Sequence, residues 1–593
     1  MRLPFQACSF IHSCFKTMTF SSTSVSLHAT RTPARKVSGM LKLTAVALAS
    51  LLTGCANVQL PVWTGTSAPT PGRPPSQIDS PATNSAVSQP VAPTAQLTPL
   101  PYNPSIEARF PAPTVRYETP GLAEGRQQFT TQAEMESWLQ SVSGKAANGQ
   151  RLDVATIGTS QRGQPLLALL AAQGQSTQAT SLNNNGKPTV LLVGQQHGDE
   201  PASAEALLAI TRELGQGGLL SPLLQQINVI IVPRANPDGA QTASTLTADG
   251  TDLAHDHLTL STPEAQALAK LARNYRPAVV IDLQEFAAGG SFLQRFEAVQ
   301  RYDTLLQPAA TANGHEFVNK AAREWITDPM RNALSQSEIS SDWYYETSTQ
   351  ANDKTLSMAS IAPNSLSNAS SLKNAASVLV SSRGSDLGRL HIQRRVHSLV
   401  TAVNSALRSA AAKAKNLNQV ESFVARDIAS QACRGTVVVQ AQKTPEQRNI
   451  SMFQANSGQE LQARVDWNSS LTLKSSQTRP RPCGYWISGE SSQAVERLRM
   501  LGIQVAQIAE PGQMLADSYQ SQQTGGFVLT RGSIDTPAGS YYISLNQAKA
   551  NLAVAALEPD TQYNYLYKHL ITMPSDIARV VTAPSVVFEE EAE

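Results

Sequence analysis

Four short segments, apolar at nearly every position, recur between stretches with helical periodicity, and they constrain the fold of this chain more than any other feature. They lie at residues 189–193, 228–232, 278–283 and 377–380. Strands of this kind are typical of a parallel sheet that helices cover on both faces. The sequence therefore predicts an α/β fold with a mainly parallel, mixed sheet flanked by helices.

Two further predictions concern the second half of the chain. Residues 392–412 are predicted as a long helix that ends the sheet-containing unit. The basic residues at its start, His391, Arg394 and Arg395, are interpreted as a solvated face. Beyond about Asn416, shorter β-like segments with Gly, Pro and Ser turns predict a smaller C-terminal α/β domain.

The length of 593 residues exceeds one ordinary domain. We predict a signal region at 1–55, a Pro/Ser/Thr-rich disordered tether at 56–116, a main domain at 117–415 and a C-terminal domain at 416–593. The 47 Lys and Arg residues nearly balance the 45 Asp and Glu residues. This balance does not indicate the basic surface that is typical of nucleic-acid-binding proteins, so we expect no nucleic-acid partner.

The N-terminal region carries an export signal. Basic residues precede an apolar stretch at 43–52, which at roughly ten residues is too short to span a membrane. The stretch ends in Leu-Thr-Gly-Cys, which resembles the bacterial lipobox, and this resemblance implies a lipid anchor on Cys55. Ala56 then favours the outer membrane, so we expect an outer-membrane lipoprotein that faces the periplasm of a Gram-negative bacterium. The alternative is a plain secretory signal with an incidental cysteine.

Cys433 and Cys483 are far from this signal and 50 residues apart. In an oxidising compartment such a distal pair is expected to form a disulfide. The alternative is two buried free thiols.

A pair of metal-binding side chains follows the first of the four apolar segments. His197 and Glu200 lie three residues apart, and Pro201 stands where a helix would begin. Open α/β sheets bind ligands at the carboxyl ends of their strands. Imidazole and carboxylate groups are suitable donors to Zn²⁺, but a catalytic zinc needs a third protein ligand and an open position. Taken alone, His197 would be interpreted as a polar loop histidine.

The ordered series of motifs over about residues 117–412 resembles the zinc carboxypeptidases related to carboxypeptidase A, in particular a bacterial branch with an extra C-terminal domain. This resemblance implies the fold of that family, peptide substrates, and a Zn²⁺ held by two histidines and a glutamate. It also implies a glutamate that activates the metal-bound water, and an asparagine and arginines that grip the substrate. The motifs are IGTS at 157–160, HGDEP at 197–201, VPRANPDG at 232–239, GTD at 250–252, DLQE at 282–285 and RG at 383–384.

By this resemblance His197 and Glu200 occupy the first two zinc-ligand positions, but Gln284 occupies the third. An amide oxygen is a weak, neutral donor, so the affinity for Zn²⁺ would be lowered. Glu285 is adjacent, but on a strand it would point to the opposite face. Other histidines that would have to substitute are His255, His257 and His315.

The substrate-binding and base positions are also changed. Ala254 and His255 fall where the family has asparagine and arginine, and neither reproduces a bidentate guanidinium. No arginine lies between Gly239 and Asp252, and Arg234 is an uncertain replacement. Ser381 falls where the family has its glutamate base, and a serine is not ionised near neutral pH.

Two hypotheses about function follow from these residues. The favoured one is a non-catalytic relative that keeps the fold and binds a peptide or murein-derived ligand. The alternative is an active zinc peptidase or amidase with a rearranged site, in which Glu285 or another carboxylate acts as base. Tyr344 and Tyr345 either line the site or pack beneath it, and the sequence does not distinguish these positions.

Overall fold

The structure is a computed structural model that describes residues 103–145, 149–348, 350, 353–523 and 526–589. All of them belong to one compact unit, Gln89–Glu593. The predicted signal region, its lipidation site Cys55 and most of the predicted tether lie outside the described residues. Within the described part of the chain, no helix is long and apolar enough to cross a membrane.

The helices of the described chain surround three sheets. In chain order they are α1 (Pro104–Glu107), α2 (Gln132–Val142), α3 (Ala179–Asn183), α4 (Pro201–Leu214), α5 (Pro237–Thr242), α6 (Pro263–Tyr275), α7 (Gly290–Phe296), α8 (Glu316–Ala321), α9 (Asp328–Gln336), α10 (Leu366–Leu372), α11 (Ile392–Ala412), α12 (Ala414–Ser430), α13 (Ser492–Met500) and α14 (Ala550–Leu557). The predicted final helix at 392–412 coincides with α11. The predicted boundary at 415/416 falls inside α12.

The strands are β1 (Gly144–Lys145), β2 (Gln150–Thr159), β3 (Pro165–Gln173), β4 (Thr189–Gly194), β5 (Asn228–Val232), β6 (Val279–Phe286), β7 (Ala298–Gln300), β8 (Thr304–Pro308), β9 (Ser341–Trp343), β10 (Glu346–Thr347), β11 (Leu356–Ser357), β12 (Ala376–Arg383), β13 (Thr436–Gln454), β14 (Glu460–Pro480), β15 (Gly484–Ile487), β16 (Ala506–Gln507), β17 (Gly512–Ser521), β18 (Phe527–Thr536), β19 (Tyr541–Ser544) and β20 (Ile577–Val580).

The four apolar segments form the centre of the largest sheet, whose strand order is β1-β2-β3-β5-β4-β6-β12-β8-β9. Strands β5, β4, β6 and β12 are parallel to one another. Antiparallel pairs flank them on both sides, at β3–β5 and β12–β8. The predicted α/β fold with a mixed sheet and a parallel centre is confirmed.

The apolar character of these strands is explained by what covers each face. Successive side chains of a strand point to opposite faces. In β4, Val190 and Leu192 pack in a cluster with residues of α4 and α11, whereas Leu191 and Val193 face a second cluster. Because both faces are buried, polar residues have no place along the strand.

The second cluster continues into the C-terminal part of the chain. It joins Leu191 and Val193 to Tyr485, Leu498 and Leu552. These last three residues belong to β15, α13 and α14. Their sheet, in the order β16-β19-β15-β20-β17-β18, is antiparallel throughout. The predicted smaller C-terminal domain with strands and helices is thus present.

The third sheet contains a long hairpin, β13–β14, between β11 and β7. Cys433 and Cys483 are bonded to each other on either side of this hairpin. The disulfide therefore closes the chain segment that contains both long strands.

The end of the predicted tether differs from the prediction. Residues 103–116 include α1, which the side chain of Asn103 caps by accepting a hydrogen bond from the backbone N–H of Ser105. Ile106 and Phe110 are buried against Val299 and Phe453. The predicted start of the folded chain at residue 117 is therefore too late, because these two apolar side chains gain a buried environment that local composition does not reveal.

Candidate functional site

The candidate site lies at the carboxyl ends of β4 and β6, where parallel sheets commonly bind ligands. The loop after β4 carries Gln195, Gln196, His197 and Glu200. It packs closely on the start of α5, because any side chain at Gly198 would overlap the backbone of Gly239. This close approach explains the glycine that follows His197.

His197 is held between two carboxylates. Its Nδ1 lies 2.8 Å from Oε1 of Glu200, and its Nε2 lies 3.0 Å from Oδ1 of Asp252. Burial lowers the pKa of His197, but these two carboxylates outweigh it and raise the pKa to about 11. In this arrangement both ring nitrogens of His197 have carboxylate partners.

Asp252 also organises the neighbouring histidine. Its Oδ2 lies 2.8 Å from Nδ1 of His255, and its Oδ1 accepts the N–H of Ala254. Burial opposes ionisation of Asp252, but the bonds from His197 and His255 hold its pKa well below the usual range. The side chains of His255 and Asp252 are 46% and 38% exposed, so this pair forms the solvent-facing edge of the site.

Glu200 is the second retained ligand candidate, and it is buried. Its Oε2 accepts the backbone N–H of Glu285 at 3.0 Å. Burial raises the pKa of Glu200, although the neighbouring His197 opposes the shift. Both oxygens of Glu200 therefore have protein partners.

Gln284, at the predicted third-ligand position, is bound to its own strand. Its Nε2 donates to Oδ2 of Asp282 at 3.1 Å. Oδ1 of Asp282 accepts from Nε2 of Gln196 at 2.7 Å, and burial raises the pKa of Asp282 to about 6. The amide is thus part of a buried polar network, and within the described chain it forms no hydrogen bond with His197 or Glu200.

The other histidines do not complete a metal site. His257 is buried and donates from Nε2 to Oε1 of Gln196 at 2.6 Å, and burial lowers its pKa to about 3. His315 caps α8 and lies 3.2 Å from Asp427. Among the described residues, no group of three His, Cys, Asp or Glu side chains is arranged to hold a metal ion. The residues present therefore do not fit a catalytic zinc, which requires three protein ligands.

Glu285 occupies a different environment from its neighbour Gln284. Its Oε1 accepts the N–H of Ala202 at the start of α4, and its Oε2 accepts from Nε of Arg395 at 2.8 Å. Both side chains of this ion pair are fully buried. Glu285 is therefore committed to joining β6 to α4 and α11, and it is not placed to act as a base.

The same ion pair corrects the prediction for the start of α11. Arg395 is buried, and Arg394 binds Asp303 through Nε at 2.6 Å. The predicted solvated basic face is wrong, because both guanidinium groups have carboxylate partners, Glu285 in β6 and Asp303 just before β8.

Ser381, at the predicted base position, is fully buried on β12. It lies directly beside Gln284 in the parallel register of β12 and β6. Within the described chain, its Oγ has no hydrogen-bond partner. A neutral hydroxyl at this position cannot take a proton from water near neutral pH.

The two adjacent tyrosines have different roles. Tyr344 donates to Oε1 of Glu346 at 3.0 Å, and its pKa is raised well above the usual range by burial, by Glu346, and also by Glu200 and Asp282. Tyr345 packs in the core, with its ring centroid 5.5 Å from that of Trp467. Tyr344 therefore borders the site, whereas Tyr345 packs beneath it.

Arg234 is not a replacement for a substrate-binding arginine. It is buried, and it donates to Oε1 of Gln195 at 2.7 Å and to the carbonyl of Thr130 at 2.6 Å. Its role is to fix the β4 loop against the N-terminal segment.

Sequence reasoning missed two residues that shape the site, Gln196 and Glu346, and it wrongly assigned a third, Arg395, to a solvated face. The glutamine pair directly before His197 is a signal for the first, since two polar side chains at a buried strand end need partners. The other two lie on elements whose contact with the site depends on tertiary structure alone.

Comparison with known proteins places this geometry in context. Residues 135–262 match the model of the zinc carboxypeptidase family. The match contains His197, Glu200 and Asp252, and it ends before Gln284 and Ser381. The half of the site that lies within the family match and the half that lies beyond it are therefore separated along the chain.

Several curated carboxypeptidases are similar to this chain. Carboxypeptidase 2 of Trichophyton rubrum is 24% identical over 404 residues, which is 65% of this chain and 74% of that protein. Carboxypeptidase 2 of Trichophyton equinum is 24% identical over 391 residues, covering 63% and 72%. Among solved structures, carboxypeptidase A of Helicoverpa armigera has a TM-score of 0.36 at 16% identity and covers 49% of this chain and 75% of its own.

Proposed function

Since the chain is related to the zinc carboxypeptidase family, we propose that it is an envelope-anchored relative that has largely lost peptide hydrolysis and binds a peptide or murein-derived ligand. The observation that carries this proposal is the state of the metal-binding side chains. Both nitrogens of His197 are engaged by carboxylates, and the amide of Gln284 is bound to Asp282. Two candidate donors remain where a catalytic zinc needs three.

The lack of a suitable general base at Ser381 and Glu285 supports the same proposal. Water activation requires an ionised group beside the reacting water. Ser381 is neutral, and Glu285 is in a buried ion pair with Arg395. Loss of a general base lowers rates by on the order of 10²–10⁴-fold, and loss of oxyanion stabilisation has an effect of similar size. The chemistry that remains supports binding far better than turnover.

The ligand class rests on the family relationship and on the solvent-facing edge of the site. His255, Asp252 and Glu346 place hydrogen-bonding groups of both charges there. A peptide offers amide donors and acceptors as well as charged termini, which such an edge can bind. The lipobox-like sequence at Cys55 supports an outer-membrane location facing the periplasm, where murein stem peptides are abundant partners.

The first test is the zinc content of the full chain after dialysis, measured by elemental mass spectrometry together with hydrolysis of peptides that end in a free carboxylate. We expect well below one zinc per chain and no release of the terminal residue. Calorimetric titration with a murein stem peptide should then detect binding that a His255→Ala variant weakens, with the exposed His569→Ala as control. The ligand assignment would be overturned if the chain bound neither the murein stem peptide nor the peptides that end in a free carboxylate.

A second candidate function, an active zinc peptidase or amidase, is favoured by one observation. Asp252 still orients His197 so that Nδ1 faces Glu200, which is the support that zinc-binding histidines commonly receive. Stoichiometric zinc that disappears in His197→Ala, together with peptide hydrolysis, would establish this candidate and contradict the first.

A further inference from the structure

A group of basic side chains lies at the ends of α10 and α6 and just before the start of α14, on parts of the chain that the proposed function does not use. Lys373 follows the last residue of α10, Arg273 and Arg276 lie at the end of α6, and Lys549 directly precedes α14. One acidic residue, Glu421, accompanies them, since it interacts electrostatically with Arg276 and Lys549.

Two contacts hold this group together. Nδ2 of Asn374 donates to the carbonyl of Ala548 at 2.9 Å, so the residues next to Lys373 and Lys549 are joined. Gly502 lies against the ammonium of Lys549, and a methyl group there would also lie 3.4 Å from Cγ of Arg273. The absence of a side chain at Gly502 thus lets the ammonium of Lys549 lie close to the side chain of Arg273.

The two lysines have no direct ion-pair partner among the described residues, although Glu421 acts on Lys549 electrostatically. Both are half-buried, yet neither ammonium forms an ion pair with a described carboxylate within 4.0 Å. Burial, with Lys549 nearby, lowers the pKa of Lys373 to about 7, and burial with Arg276 and Arg273 lowers the pKa of Lys549 to about 8. Half-buried cations without compensation are unfavourable, and a bound anion removes that penalty.

Helix ends explain some of these cations but not all of them. The C-terminal end of a helix favours a cation, which accounts for Lys373, Arg273 and Arg276. Lys549 stands at the N-terminal end of α14, where a cation is disfavoured and an anion is favoured. Lys549 therefore adds a cation to a helix end that does not itself favour one.

We propose that Lys373, Lys549, Arg273 and Arg276 form a binding site for a phosphate-type oxyanion, either free phosphate or a phosphate monoester. A dianion matches the charge, because Glu421 is the one acidic side chain that accompanies the four cations in the described part of the chain. Guanidinium and ammonium groups together provide the donors that a phosphate oxygen requires.

Equilibrium dialysis of the full chain with labelled inorganic phosphate tests the proposal at constant ionic strength in chloride. We expect one phosphate per chain, and removal of one charged donor in Arg273→Gln or Lys549→Gln should weaken binding about tenfold. Lys187→Gln is the matched control, because Lys187 is also half-buried but donates to the carbonyl of Leu224 outside this group. Arg273 is exposed, so its variant tests the site even where Lys549→Gln fails to fold.

Competition by glycerol 1-phosphate distinguishes a site for free phosphate from a site for a phosphate monoester. Displacement of labelled phosphate would identify a site open to phosphate esters, whereas its absence would identify a site for the free ion. Failure of the chain to bind phosphate, or equal affinity in all variants, would overturn the proposal. Neither result depends on zinc or on the peptide-binding assay, so this site and the proposed function can fail separately.

Discussion

Ser381 and Gln284 stand side by side on neighbouring parallel strands, β12 and β6. These are the positions where the zinc carboxypeptidase resemblance predicts a glutamate base and a histidine ligand. Because side chains in register on adjacent parallel strands share a face, the two departures alter one continuous patch of the sheet. The chemistry is therefore changed locally, on a scaffold that is otherwise intact.

Replacement of Gln284 by histidine should increase zinc affinity, because it supplies the missing imidazole donor beside His197 and Glu200. We expect metal titration to show tighter zinc binding for Gln284→His than for the unaltered chain. Gln284→Asn is the control, since it changes side-chain length without adding an imidazole. Equal zinc affinity in Gln284→His and Gln284→Asn would show that residue 284 does not face the metal position.

The buried pair Glu285–Arg395 should be a major contributor to stability. Arg395→Met leaves the Glu285 carboxylate buried without its partner, which typically lowers the free energy of unfolding by about 3–5 kcal/mol. Urea unfolding measures this change. Arg212→Gln removes a cation from the exposed pair with Glu118 and should change stability by about 1 kcal/mol or less. Similar losses in the two variants would contradict the assigned role of Glu285.

The buried His257 should make stability depend on pH. Burial lowers its pKa to about 3 from an ordinary value near 6.5, so the folded state binds fewer protons than the unfolded state between these values. The contribution of His257 to the free energy of unfolding is complete above about pH 6.5. It is lost as the pH falls toward 3, and the loss is up to roughly 4–5 kcal/mol.

Unfolding curves at several pH values check this prediction. In His257→Gln the decline in stability from pH 6.5 to pH 4 should be smaller than in the unaltered chain. His569→Gln removes an exposed histidine and serves as the control. A decline of equal steepness in the unaltered chain and in His257→Gln would show that His257 is not the group responsible.

Reduction of the disulfide should destabilise the third sheet. The bond joins residues 50 apart and encloses the β13–β14 hairpin, so it restricts the unfolded chain by an amount worth about 2–4 kcal/mol. Cys483→Ser should lower the free energy of unfolding under oxidising conditions. A reducing agent should lower the free energy of unfolding of the unaltered chain by the same amount as Cys483→Ser does, and it should not change that of the variant. A further loss in the variant would show that the reducing agent acts on something other than this disulfide.

The sequence was sufficient for the elements that local pattern determines. The four apolar segments and the helix at 392–412 are found where periodicity and composition predict them. Burial on both faces leaves a continuous apolar signal, which explains why the parallel centre of the sheet was predictable. The replacement of the expected histidine by Gln284 and of the expected glutamate by Ser381 could be identified from the sequence, because each residue directly follows one of the predicted apolar segments.

The remaining features depend on partners that are distant in sequence. Arg395 looks like a surface residue until its ion pair with Glu285, 110 residues away, is known. Tyr344 and Tyr345 are adjacent and chemically alike, and only the placement of β9 and β14 separates their roles. The long hairpin β13–β14 is largely polar, so no periodic apolar signal identified it.

The apolar cluster that joins Leu191 and Val193 to Tyr485, Leu498 and Leu552 makes the two ends of the folded chain thermodynamically dependent on each other. A protein shortened at the end of α12 would expose the apolar side chains of this cluster that now pack against the C-terminal sheet and helices. Exposed apolar surface of this kind drives aggregation. The chain should therefore melt in a single cooperative transition, and a protease that cuts near residue 430 should release no soluble fragment.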